Sequence, residues 1–140
     1  MKRQSLTRKV PILFILLWLY TALDKVIHAE KFRSELAESP YAAPYSALLS
    51  WLVPGLELMT AVLLIIPACK VIGLYASFLL MTIFTGYISL LAANENSIPC
   101  SCGGLLETLP QGVHILLDAA LAFLAFAGLR ASKRRHRLIA

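Results

Sequence analysis

Four stretches of the chain are predominantly apolar: Val10 to Ile27, Ala47 to Pro67, Val71 to Ala93 and Val113 to Leu129. A helix rising about 1.5 Å per residue needs roughly 20 such residues to cross a hydrocarbon core about 30 Å thick, so each stretch predicts one membrane-spanning helix. The runs do not alternate apolar with polar, which excludes a membrane β-barrel. Within the first connecting segment, "HAEKFRSELAESPYAAPY", Phe32 and Leu36 stand four residues apart among charges, and Ser39-Pro40 then stops any helix. That spacing predicts a short helix lying on the membrane surface. The expected architecture is an all-α membrane protein: a four-transmembrane-helix bundle with helices at about 10–27, 47–67, 71–93 and 113–129, forming one domain over 1–140.

The first span admits a second reading. Lys2, Arg3, Arg8 and Lys9 followed by "VPILFILLWLY" also resemble the opening of a signal peptide. The following "TALDKVIHAEK" lacks a small-x-small cleavage site, so the span is read as a retained helix.

Composition strengthens the membrane reading. The 140 residues are 59% hydrophobic and only 15% charged, more apolar material than a soluble core needs. The net charge of +5 raises the question of nucleic acid, but the basic residues flank apolar spans and form no aromatic-interleaved face, so no nucleic-acid partner is expected. Their placement does predict orientation. With both termini cytoplasmic, ten Lys and Arg lie inside (Lys2, Arg3, Arg8, Lys9, Lys70, Arg130, Lys133, Arg134, Arg135 and Arg137) against Lys25, Lys31 and Arg33 outside. The expected location is the bacterial cytoplasmic (inner) membrane, multi-pass, with the short surface helix in the first outer loop.

This orientation puts "NENSIPCSCGGLLETLPQG", and with it Cys100 and Cys102, on the periplasmic face. Cys69 falls at the opposite end of the second span. A disulfide needs Cα atoms within about 7 Å, so Cys69 is read as a small apolar residue at a helix end. Pro99 before the Cys-x-Cys pair and Gly103-Gly104 after it favour a turn, which the pair needs in order to close on itself. A ring so small is strained, and strained exposed disulfides are the exchangeable kind. A structural disulfide and half a metal site are the competing readings. Metal would need further ligands, and beyond His114 no convincing one stands at a customary spacing, so no metal is expected.

Ionisable residues inside the spans are the second chemical signal. His114 and Asp118 share one face at the start of the last helix, where a histidine can depress a thiol pKa or relay a proton. Asp118 sits about 9 Å into the apolar core, and Glu57 lies about 18 Å along the second span, near the midplane. Pro54, three residues before Glu57, predicts a kink that admits a polar partner. Asp24 and Lys25 are candidates for that partner, although Lys25 can instead snorkel to the interface. Asp24, Glu57 and Asp118 are expected to form a polar interior beneath the cysteine pair. Gly73, Ser77, Ala119, Ala122 and Ala125 mark packing seams.

These segments resemble the DoxX-like superfamily of four-helix membrane proteins and, within it, the MauE family. The resemblance runs through "ALDKVIHAEKFRSELAESP", "LVPGLELMTAVLLIIP" with Pro54 and Glu57, and "IGLYASFLLMTIFTGYISLL". It ends in "IPCSCGG" followed by His114 and Asp118. "PCSCGG" is its most specific part, because generic DoxX-like proteins lack it. The resemblance implies a redox-associated role in disulfide formation or maturation of exported proteins. Cys100 and Cys102 would be the redox pair, Glu57 the buried acidic position, and His114 and Asp118 the polar positions opening the last helix. Relatives often carry an aromatic before that histidine where this chain has "LPQGVH", so no stacking role is carried over.

The resulting expectation is a membrane thiol-disulfide oxidoreductase component that exchanges disulfides or electrons with an exported or thioredoxin-like partner. A membrane quinone is the candidate electron acceptor. The alternative is a non-catalytic assembly or anchoring subunit whose Cys-x-Cys loop is structural. A small-molecule carrier fits less well, since four short helices without a visible repeat leave little room for alternating access.

Overall fold

The computed structural model describes residues 2–94 and 109–139. They form five α-helices: α1 (Lys2–Ile27), α2 (Ala29–Glu38), α3 (Ser46–Ile65), α4 (Lys70–Asn94) and α5 (Gln111–Ile139), with 3-10 turns at Ala43–Tyr45 and Pro67–Cys69. No strand occurs among the described residues. Four helices are long and apolar enough to cross a membrane, as the apolar pattern predicts.

The long helices pack up-down-up-down. Helix α1 lies against α3 and α5, α4 also lies against α3 and α5, and α1 touches α4 across the bundle. One end of the bundle gathers the C-termini of α1 and α4 with the N-termini of α3 and α5. The other end gathers the chain termini and the α3–α4 turn.

The buried positions explain why these helices associate. In α1 they include Val10, Phe14, Trp18, Thr21 and Lys25; in α3 Ser50, Pro54, Glu57, Ala61 and Leu64; in α4 Leu74, Ser77, Met81, Ile88 and Leu91; in α5 His114, Asp118, Ala125 and Leu129. Successive members are three, four or seven residues apart, which keeps one stripe of each helix facing its neighbours along the bundle. The opposite faces, with Leu16, Trp51, Ile72 and Phe123, are exposed and apolar. Such surface is tolerable where lipid solvates it.

The interior is not uniform along its length. Toward the chain termini the stripe is apolar: Val10, Phe14, Leu64, Leu74, Ala125 and Leu129. Near the middle, the Trp18 indole N–H donates to Ser77 Oγ at 2.9 Å, and Trp18 meets Phe84 edge-on with ring centroids 6.2 Å apart. Toward the opposite end the stripe turns polar on α1, α3 and α5, while α4 keeps Ile88 and Leu91.

Two close approaches define the apolar half. A Cβ added at Gly73 would lie 2.9 Å from both the side chain and the backbone nitrogen of Leu64, and one added at Gly128 would lie 2.8 Å from Val10 Cγ1. Because backbone cannot step aside as a flexible side chain can, Gly73→Ala should destabilise the protein by about 1–3 kcal/mol. Denaturant-induced unfolding in detergent micelles measures this, and an unshifted midpoint would mean that α3 and α4 part freely. Of the other expected seam positions, Ser77 and Ala125 are buried and Ala122 is half-buried, whereas Ala119 is exposed and faces away.

Two expected features gain detail. Helix α2 forms where the spacing of Phe32 and Leu36 places it, but Phe32 is buried and α2 packs on α3, so the helix caps the bundle end. The reason is that its ring has a partner below it, the Lys25 ammonium 5.7 Å from the ring centroid. Helix α3 stays helical through Pro54, with the Ser50 hydroxyl donating to the Ala47 carbonyl at 2.8 Å. The exit of α2 is tied to α4 by a Ser39–Tyr87 hydroxyl bond and by the Asn94 amide donating to Tyr41 Oη at 3.2 Å.

Candidate functional site

The polar half of the interior is built around an ion pair. Lys25 Nζ donates to Glu57 Oε1 at 2.8 Å, with side-chain exposures of 4% and 0%. Chain direction makes the contact possible. Side chains lean toward the N-terminus of their own helix, so Lys25 on α1 leans down into the bundle while Glu57, on the oppositely running α3, leans up toward it. Lys25 therefore does not snorkel. The flexible stem reaches inward, where Glu57 offers a charge-assisted bond that acyl chains cannot.

Thr21, one turn before Lys25, adjoins the Glu57 carboxylate from the same face of α1. From α5, Asp118 and His114 complete the cluster. His114 Nε2 lies 3.7 Å from Asp118 Oδ2, an ion-pair distance when the ring is protonated, and both residues are buried. The i, i+4 spacing stacks the two on one face of α5. The charge of Lys25 acts on Asp118 as well as on Glu57. One ammonium thus serves two carboxylates, one from each of two helices flanking α1.

Neither carboxylate is saturated. Glu57 Oε2 and Asp118 Oδ2 are buried without a hydrogen-bond partner. A carboxylate oxygen in that position is costly, which marks the cluster as a place where a proton, a polar group or water is accommodated. Among the described residues, no three His, Cys, Asp or Glu side chains converge as a metal ion would require.

The structure brings three of the sequence-predicted site residues, Glu57, His114 and Asp118, into this cluster. Asp24 does not join them. It is half-buried on the side of α1, where His28 Nδ1 stands 3.3 Å from its carboxylate, because one step along a helix turns a side chain about 100° away from Lys25. Thr21 is a member that sequence reasoning missed; its spacing of four from Lys25 is the signal that could have found it. Cys100 and Cys102 lie outside the described residues. Cys69 is half-buried in the turn at the opposite end of the bundle.

The segment carrying the cysteine pair leaves α4 after Asn94 and rejoins the described chain at Leu109, just before α5, at the bundle end that also holds the polar cluster. A helical membrane bundle with an acidic residue three positions after Pro54, and with His114 and Asp118 opening its last helix, can be compared with known families. The comparison with curated proteins gives no match, and neither does that with solved structures. The family model described as "Methylamine utilisation protein MauE" matches residues 3–131, nearly the whole chain and every element of the bundle. The chain belongs to the MauE family.

Proposed function

We propose that this MauE-family membrane protein is a thiol-disulfide component acting in the maturation of exported proteins, in keeping with a family described by methylamine utilisation. The proposed reactive groups are Cys100 and Cys102 on the periplasmic side, with both chain termini cytoplasmic. The Cys100–Cys102 disulfide accepts two electrons and two protons from a dithiol of an exported or thioredoxin-like partner. The partner gains a disulfide and the pair becomes two thiols. One partner thiolate forms the mixed disulfide and the partner's second thiolate resolves it, releasing the two cysteines as thiols. A lipid-soluble quinone, as oxidising substrate, then takes the two electrons and two protons, becoming a quinol while the disulfide re-forms.

The observation that carries this reading is the buried cluster of Lys25, Glu57, His114 and Asp118 at the end of the bundle from which the cysteine segment emerges. Thiol oxidation must move protons, and few side chains in a membrane interior can hold them. With Lys25 charged and both carboxylates ionised, the cluster carries one negative charge in excess. One proton shared by His114 and Asp118 neutralises it, a state favoured in a low-dielectric interior. His114 therefore serves as the proton carrier nearest the loop, with Asp118 holding its partner charge and Glu57 fixing Lys25.

The test is thiol trapping of the purified protein across a graded dithiol/disulfide buffer, followed by single-cysteine variants. Cys100→Ser and Cys102→Ser should each reduce disulfide exchange by at least about 100-fold with protein level unchanged, because a single cysteine cannot form the disulfide that takes the partner's electrons. Offered the partner in its disulfide form, one of them should accumulate a mixed disulfide, since no second thiol is present to resolve it. A pair that never titrates, and whose loss lowers only the protein level, would favour the non-catalytic assembly or anchoring subunit instead.

A further inference from the structure

The cations at the opposite end of the bundle are not used by this chemistry. Val10 on α1 packs against Gly128 on α5, and the two helices run in opposite directions, so the residues before Val10 stand beside the residues after Gly128. Helix α5 has 29 residues, about 43 Å, and continues well past the apolar stretch that ends at Leu129. Helix α1 extends likewise, from Lys2.

The two projecting turns carry Arg8 and Lys9 on α1, and Arg130, Lys133, Arg134, Arg135 and Arg137 on α5, all exposed; Lys2 and Arg3 open the same α1 segment. Neither 2–10 nor 128–139 contains an acidic residue. The polar cluster, α2 and its acidic side chains all lie at the other end. Two cationic helix ends side by side repel unless anions lie between or around them. Arg130 is held over the Phe126 ring, 4.8 Å from its centroid, which fixes a guanidinium where the apolar face gives way to the charged one.

We infer that the paired ends of α1 and α5 form a binding surface for anionic phospholipid headgroups. The occupant follows from charge and position. Immediately beside an apolar membrane-spanning stretch, the anion present at high density is the lipid phosphodiester, which guanidinium groups bind by paired N–H donors. The surface is independent of the thiol chemistry, since it shares no residue with the polar cluster and lies at the other end.

The experiment is native mass spectrometry of the full-length protein released from vesicles of equimolar phosphatidylglycerol and phosphatidylcholine. The wild-type protein should retain phosphatidylglycerol preferentially. The preference should fall in 0.5 M salt and persist in millimolar inorganic phosphate, which separates a headgroup seated beside the bilayer from a free-anion site. The triple variant Arg134→Gln, Arg135→Gln, Arg137→Gln should weaken the preference by about 100-fold, at roughly fivefold per cation removed. The salt and phosphate measurements need no variant, so a misfolded mutant does not obscure the result. Equal retention of the two lipids, or a preference unmoved by salt, would overturn the inference, as would displacement by inorganic phosphate.

Discussion

Lys25→Met will be the most damaging of the single substitutions in the polar cluster, lowering stability by about 3–5 kcal/mol, the usual consequence of removing one member of a buried ion pair. The magnitude follows from burial. Glu57 is fully inaccessible and Lys25 nearly so, so water cannot replace the lost ammonium. The order of effects is a sharper test than the size. Because Lys25 acts on both Glu57 and Asp118, its removal leaves Glu57 without a cation and Asp118 with His114 alone. Glu57→Gln removes one negative charge and leaves Lys25 opposite Asp118, so it should cost less. The double variant Lys25→Met, Glu57→Met should recover most of the loss, since well-packed apolar replacements of a buried pair are often neutral or better. Recovery will be incomplete because Asp118 still lacks its second cation. Unfolding followed by circular dichroism in mixed micelles gives all three values. If Glu57→Gln proves as costly as Lys25→Met, the shared-cation description is wrong.

Trp18→Ala should be comparably severe, at about 3 kcal/mol, for a different reason. In a bilayer the transfer from water that inflates such values in soluble proteins is absent, so the expectation sits at the low end of the ~3–5 kcal/mol found for large-to-small core changes. What remains is the cavity and the dispersion attraction that disappears with the ring. Trp18 is 1% exposed and bridges the bundle, touching Phe14 along its own helix and Phe84 and Ser77 across it. Trp18→Phe keeps most of the volume and gives up the indole donor. Ser77 Oγ still donates to the Gly73 carbonyl at 2.9 Å, so this change should cost only about 1 kcal/mol. A Trp18→Phe variant as unstable as Trp18→Ala would show that the hydrogen bond, not the ring volume, holds α1 to α4.

These two predictions concern the two halves of one interior, and the halves differed in how legible they were. The spans could be read directly, since about twenty apolar residues suffice to cross a membrane whatever they pack against. Helix α2 was legible from Phe32, Leu36 and the Ser39-Pro40 stop. Its role as a cap was not, because that depends on Phe32 meeting Lys25, which stands on another helix. Glu57, His114 and Asp118 announced themselves as ionisable residues in apolar runs, where each needs a reason. Asp24 announced itself equally well and proved to face sideways.

Local chemistry settles which residues are helical, which are costly to bury and which spans reach across a membrane, because those properties depend on composition and short-range geometry. The same reading extends the resemblance carried by "PCSCGG" and by the acidic, histidine and aspartate positions to membership of the MauE family, which the match over residues 3–131 establishes. Partner choice needed the assembled bundle. Lys25 could have leaned to the interface or into the core, and only the antiparallel packing of α1 on α3 places a carboxylate 2.8 Å from its ammonium. The joining of two basic chain ends into one surface is likewise a product of α1 and α5 running in opposite directions with Val10 against Gly128. Charges interact through space, and their neighbours in space are decided when helices far apart in sequence come to lie side by side.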